Sequence, residues 1–200
     1  MNAYTIVLFV HIAAAFALVA TAGIQTAGTF WLRQARRVEQ VRDLAGRMVA
    51  IARVIPIILL TILAAGLYLA ITAWGFQTAW IDVALATFLI LSVAAPALHA
   101  PRGAALKRAA EAAPDGPLTP KLAAQVRDPV TAVSHLTLLA LTLGILFLMT
   151  NKPPLGVSIG TILVTLLLGL ATSIPLRRAS AGTTRPSHAA DVPAGAASER

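Results

Sequence analysis

Residues 4–32 read YTIVLFVHIAAAFALVATAGIQTAGTFWL, a stretch without one charged side chain. An uninterrupted apolar run of about 18 residues or more reads as a membrane span, and this one is long enough to cross with tilt. Four further runs follow: 54–74, 80–100 (with Asp82 near its start), 129–150 and 155–176. At about 1.5 Å rise per residue, each covers about 30 Å of hydrocarbon as a helix. The opening Met1-Asn2-Ala3 carries no basic residue, and the run behind it exceeds the apolar core of a signal peptide. The first run is therefore expected to be a retained helix.

Composition agrees. The 200-residue chain of 20.8 kDa is 58% hydrophobic and 12% charged, with a mean hydropathy of +0.79. A soluble domain holds about 25% charged residues, and a chain this short cannot hide such an apolar excess in one core. A soluble globular enzyme is excluded, and so is a wholly disordered chain. With no cysteine, disulfides, thiolate metal sites and thiol catalysis are excluded as well.

The net charge of +8 suggests nucleic acid until the basic residues are placed. Arg33, Arg36, Arg37, Arg42, Arg47 and Arg53 lie between the first two runs, and Arg102, Lys107, Arg108, Lys121 and Arg127 between the third and fourth. Arg177, Arg178, Arg185 and Arg200 follow the fifth run, and only Lys152 falls on the other side. The positive-inside rule makes the basic side cytoplasmic, with the N-terminus outside and the C-terminus inside. These cations fix topology and attract anionic headgroups; they do not bind nucleic acid. The expected architecture is an all-α membrane protein of five transmembrane helices, a four-helix core bundle plus a C-terminal fifth helix. Residues 1–178 form the membrane domain, and 179–200 are expected to be a disordered cytoplasmic tail.

The connectors differ. Gly75-Phe76-Gln77-Thr78, flanked by Trp74 and Trp80, and Asn151-Lys152-Pro153-Pro154 are tight, so the helices that each joins are expected to be antiparallel neighbours. Between Arg33 and Arg53, apolar residues recur at helical spacing, which predicts a helix lying at the interface or prolonging its neighbours. The connector 101–128 is expected to split at Pro114-Asp115-Gly116-Pro117.

Ionisable and polar groups inside a membrane are costly, so each is a candidate for function. His11, Tyr68 and Asp82 come out at similar depth in the outer half by helical rise. A His–carboxylate pair there would fix the imidazole tautomer, as in a ligand or proton-relay site. The plainer readings place Asp82 in the headgroup zone or at a helix start, Tyr68 as a packed aromatic and Gln25 as interhelical glue. His99 is expected at the inner interface, beside Pro101 and Arg102. His135 is expected about 10 Å inside the fourth helix. His11 and His135, separated by roughly 10 Å in depth, do not share one haem iron. Nucleotide-binding, zinc-protease and serine-hydrolase motifs are missing from the sequence.

Phe9-Val10-His11-Ile12 resembles the opening of a broad bacterial membrane superfamily that includes HemJ-type protoporphyrinogen oxidases, copper-resistance D proteins and an uncharacterised DUF group. Gly66-Leu67-Tyr68, Trp74-Gly75-Phe76, Trp80-Ile81 and the ending Phe147-Leu148-Met149 with Lys152-Pro153 resemble the uncharacterised group most. The resemblance covers roughly residues 4–154. In the oxidase branch the helix-one histidine resembles a haem ligand, which implies that metal-ligand role for His11; the shared depth makes Tyr68 and Asp82 the candidates to flank such a haem site. Ala84 stands where that branch carries a lysine. The uncharacterised group implies fold and location in the bacterial inner membrane only. Two functions follow: a structural, accessory or sensor component without catalysis, with a membrane-protein partner or a second copy of itself; or a haem-binding redox protein using His11. A small transporter is the third and weakest reading, because five spans without broken helices or an inverted repeat do not suit one.

Overall fold

A computed structural model describes residues 2–172. The expected tail at 179–200 and the end of the fifth run lie outside the described residues. The chain is an all-α membrane protein, and no strand occurs among the described residues. The helices are α1 (Ala3–Gln34), α2 (Val38–Ala52), α3 (Ile55–Leu69), α4 (Ala79–Ala112), α5 (Pro120–Val126), α6 (Pro129–Asn151) and α7 (Leu155–Ala171). Four helical stretches are long and apolar enough to cross a membrane: Ala3–Gln34, Val38–Trp74, Ala79–Ala112 and Pro120–Asn151, the second and last broken by short turns; α7 is a shorter apolar helix.

Local sequence sets the helix ends. The Asn2 side chain accepts the Thr5 N–H at the start of α1, and Thr119 and Asp128 do the same for α5 and α6, each followed by a proline at the first helical position. Such caps satisfy backbone donors that the helix itself leaves free. The Gln40 side chain accepts from the Arg36 and Arg37 amides ahead of α2. At its far end α6 stops at Lys152, the one described non-glycine residue with positive φ, at 52°. Its N–H returns to the Leu148 carbonyl, the left-handed closure usual at helix C-termini.

α1 is the axle of the bundle. It packs along α3 on one side and α6 on the other, α6 packs along α7, and α4 packs along α6 and α7. The α6–α7 hairpin has the expected antiparallel pairing, with small residues at the seam: a Cβ on Gly144 would meet the Thr165 side chain at 2.8 Å, and one on Gly169 the Thr137 Cα at 2.5 Å. Such close approach is how helices associate where lipid removes the hydrophobic incentive. The other hairpin departs from expectation. α3 and α4 lack a comparable backbone approach along their length, because α3 leans on α1. What joins them is a small cluster of Ala14, Ile62 and Phe88. A π-helical turn at Ala70–Trp74, closed by the Gly75 N–H on the Ala70 carbonyl at 2.7 Å, widens the chain just before the connector.

On the basic side the helices outrun their apolar stretches. α4 does not end near His99 but runs through Pro96 and Pro101 to Ala112. Each proline removes one helix hydrogen bond. Packing on α6 and α7 before Pro101, and on α2 beyond it, holds the axis. The segment after Arg33 prolongs the second span as α2, antiparallel to the end of α4. The two close a second, extramembrane core of Leu32, Ala35, Val38, Val41, Ala110, Leu122 and Val126. Arg42 clamps it, donating to the carbonyls of Ala110 and Ala113 and to Asp115 at 2.8–3.2 Å. The expected break at Pro114–Pro117 is present, pinned by Val38 N–H on the Gly116 carbonyl and Leu118 N–H on the Arg36 carbonyl.

Candidate functional site

The outer site, so named because it lies toward the end of the bundle opposite the basic residues, begins with His11 on α1. Its Nδ1 donates to the Ile62 carbonyl of α3 at 3.1 Å. A carbonyl can only accept, so Nδ1 carries the proton and Nε2 keeps its lone pair. Gly66, one turn beyond Ile62, makes the room: a Cβ there would meet the imidazole Cε1 at 3.0 Å. Thus α3 supplies both the acceptor that orients the ring and the gap that admits it.

Tyr68 and Asp82 do not join His11. Tyr68 is 38% exposed, and Asp82, in the first turn of α4, is exposed as well. Neither side chain is hydrogen-bonded to the imidazole. Gly66 faces α1, and Tyr68, two residues on, is rotated by about 200° around α3. Of the three residues, the fold gives a buried partner only to His11.

The inner site was not legible as a unit. His99 of α4 and His135 of α6 stack with ring centroids 4.0 Å apart and planes inclined by 39°. His135 Nδ1 lies 3.0 Å from the Thr131 carbonyl and 3.3 Å from Thr29 Oγ1 of α1. The Thr29 hydroxyl donates its proton to the Gln25 carbonyl, so here too Nδ1 is the donor and Nε2 the base. His99 is the anomaly, with Nδ1 and Nε2 both buried without a hydrogen-bond partner. Gln25, one turn above Thr29, donates from Nε2 to the Met48 carbonyl of α2 at 3.1 Å while its buried Oε1 accepts nothing. Gly28 accommodates the same Met48, whose Sδ would lie 3.0 Å from a Cβ at that position. A row of polar groups therefore runs from the imidazole pair along α1 to the last turn of α2.

His11 and Thr29 are eighteen positions apart on one helix, about 27 Å of rise. The 10 Å separation expected between His11 and His135 is thus too small, and the two imidazoles are independent. As a group, the residues fit a haem only in part. His11 has an oriented Nε2 lone pair by which it would hold a haem iron, but among the described residues no second ligating side chain gathers beside it. Among the described residues no three histidine, aspartate or glutamate side chains gather as a metal site. A 4.0 Å stack presents ring faces to one another, not two nitrogens converging on an ion.

The tight outer turns meet as well. Trp74 and Trp80 pack edge-to-face with centroids 5.4 Å apart, and Lys152 Nζ sits 4.4 Å above the Trp74 ring. Two motif fragments far apart in sequence, the tryptophan turn and Lys152-Pro153, are in fact one contact.

No curated protein and no solved structure matches the chain significantly. Residues 5–153, however, match the model of the family described as "Predicted integral membrane protein (DUF2269)". That span holds every residue of both imidazole sites and of the tryptophan–lysine contact, and the chain belongs to this family.

Proposed function

We propose that this protein is a non-catalytic accessory or sensor component of a bacterial inner membrane, N-terminus outside and basic side cytoplasmic, whose responsive element is the His99–His135 pair. The observation that carries this reading is the stack itself: two imidazoles 4.0 Å apart, one without any hydrogen-bond partner. Among the described residues no carboxylate is paired with either ring, and the nearest cation in sequence, Arg102, repels an imidazolium. A proton taken up by either ring turns a neutral stack into a charged one without a counter-ion, so the α4–α6 contact must rearrange. The row through Thr29 and Gln25 to Met48 gives that rearrangement a physical route to α2. A membrane-protein partner or a second copy of the chain would read it there, while the surrounding cations attract anionic headgroups at about 1 kcal/mol each.

The test is hydrogen exchange of the α2 amides in detergent-solubilised protein across the histidine titration range, beside His99→Gln and His135→Gln. The wild type should show a pH-dependent change in α2 protection that both variants lose. Identical pH profiles in all three proteins would overturn the reading. Orientation has a separate test: a cytoplasmic reporter at the C-terminus should be active and a periplasmic one silent.

A second reading is favoured by one specific observation, the His11 geometry. With Nδ1 committed to the Ile62 carbonyl, Nε2 is the atom by which His11 would hold a haem. Tyr68 and Asp82 would flank that site only by turning inward from their exposed positions, so this reading rests on His11 alone. It predicts a Soret band in purified protein that His11→Ala abolishes; a colourless protein after haem supplementation would falsify it.

A further inference from the structure

The inner ends of α4, α6 and α7 leave an apolar groove of about 500 Å³. Its α4 wall is Leu91, Ala94, Ala95 and Leu98, and Val130 and Ser134 begin its α6 wall. The hydroxyls that face it are already committed, Ser134 to the Val130 and Thr131 carbonyls and Thr137 to the Val133 carbonyl. The groove therefore offers a hydrocarbon surface with no free hydroxyl donor.

Its inner end is different. The α4 wall advances in helical steps, and the next residue on that stripe, one turn past Leu98, is Arg102. The Arg102 guanidinium is exposed and donates one N–H back to the Leu98 carbonyl at 2.8 Å. Arg127, also exposed, lies two residues before Pro129 where the α6 wall starts. Val49 of α2 lies against Gly103, which sets Arg53, one turn on, at the level of the His99–Arg102 turn.

Among the described residues none of these three cations has a carboxylate partner, because the acidic residues described at this end of the bundle are occupied elsewhere. Glu39 pairs with Arg37, Asp43 with Arg47, Glu111 with Lys107 and Asp115 with Arg42. Asp128, at the head of α6, accepts from the Val130 amide and the Thr131 hydroxyl.

A hydrocarbon groove whose α4 wall leads, one turn on, to the exposed Arg102 suits an anionic amphiphile. We propose that it is a binding site for an anionic phospholipid, with an acyl chain along Leu91–Leu98 and the headgroup phosphate on Arg102, flanked by Arg127 and Arg53. Arginine suits the task, because its planar fork meets phosphate oxygens two at a time. The net positive surround favours a headgroup of net negative charge over a zwitterionic one. This site rests on the membrane-spanning fold and stands apart from the histidine reading.

Native mass spectrometry of the full chain, released from micelles containing phosphatidylglycerol or phosphatidylcholine, tests it. The wild type should retain one phosphatidylglycerol at least fivefold more than phosphatidylcholine. Arg102→Gln should abolish that preference, and Ala95→Phe, which fills the groove, should lower retention of the lipid itself. Arg108→Gln, on the extramembrane end of α4, should change neither. Equal retention of the two lipids by the wild type, or equal losses in the Arg102 and Arg108 variants, would reduce the effect to diffuse charge and overturn the site. A pH-independent α2 with this lipid preference intact would sink the sensor reading alone.

Discussion

The two ends of the bundle solve the same problem in opposite ways. At the outer end the chain turns within a few residues, and an edge-to-face tryptophan pair with one lysine above it closes the surface. At the inner end the helices run on past their apolar stretches and build a second core, roofed by four ion pairs, one of which is Arg42–Asp115. The imidazoles follow the same division. His11 in the outer half has its donor satisfied by a backbone carbonyl, whereas His99 near the inner layer is buried with neither nitrogen paired. A buried unsatisfied polar group costs about 1–3 kcal/mol. Strain of that kind sits where the membrane bundle meets its extramembrane layer, not at the compact outer turns.

Substitutions can break this contrast, and the largest effect belongs to Val41, fully buried in the inner core. Val41→Asp places an unpaired carboxylate there and should destabilise the inner layer by about 4 kcal/mol. Limited proteolysis should then cut α2 and the 113–119 connector while the α6–α7 hairpin stays intact; simultaneous loss of both would show that the layer is not separable. Arg42→Gln removes three hydrogen bonds from a half-exposed guanidinium, and we expect about 2 kcal/mol, read as faster hydrogen exchange around Ala110–Asp115. Trp74→Ala deletes both the aromatic pair and the cation–π contact at the outer end, for about 1–2 kcal/mol. Its effect on thermal unfolding should leave the exchange rates of α2 untouched.

The smallest effect sharpens the comparison through pH. The hydrogen bond and charge of Arg37 hold the Glu39 carboxyl below its ordinary value, and Glu39 in turn raises Arg37. A depressed carboxylate contributes its stabilisation fully above its unfolded value and loses it as pH falls through the folded one. Acidification below the usual carboxylate range should therefore loosen the Arg36–Gln40 turn slightly. Arg37 is solvent-exposed and Glu39 half-buried, so about 0.5 M salt should screen a large part of the effect. A Glu39→Gln variant with unchanged acid sensitivity would remove Glu39 from this account.

Much of the fold was legible because lipid makes composition decisive. Uncharged runs of sufficient length have few alternatives to spanning helices, and proline and glycine clusters marked the turns. Two features escaped. Pro101 and Arg102 read as a helix end, yet α4 continues, because the partner that stabilises it, α2, is some fifty residues away in sequence. The α3–α4 hairpin read as a packed pair, yet α3 leans on α1; a short connector fixes where two helices meet, not which neighbour each packs against.

The sites divide along the same line. His11 was legible as an isolated imidazole in an apolar run, and its Ile62 partner was not, since a backbone carbonyl leaves no mark in sequence. The expectation that Tyr68 and Asp82 share its depth concerned rise alone; rotation about each helix put them on exposed faces. His99 and His135 lie thirty-six positions apart in two different helices, and no spacing rule links them.

The sequence by itself determined the class of the molecule: an all-α membrane chain, its apolar runs, its turns and the one-sided distribution of its basic residues. Each of these is fixed by solvent transfer of a local segment, which needs no knowledge of the neighbours. Packing in three dimensions set which imidazoles meet, which helix prolongations share a core and where an apolar groove opens between helices. Those depend on the rotation and partner of each helix, and lipid, equally apolar on every side, does not encode either.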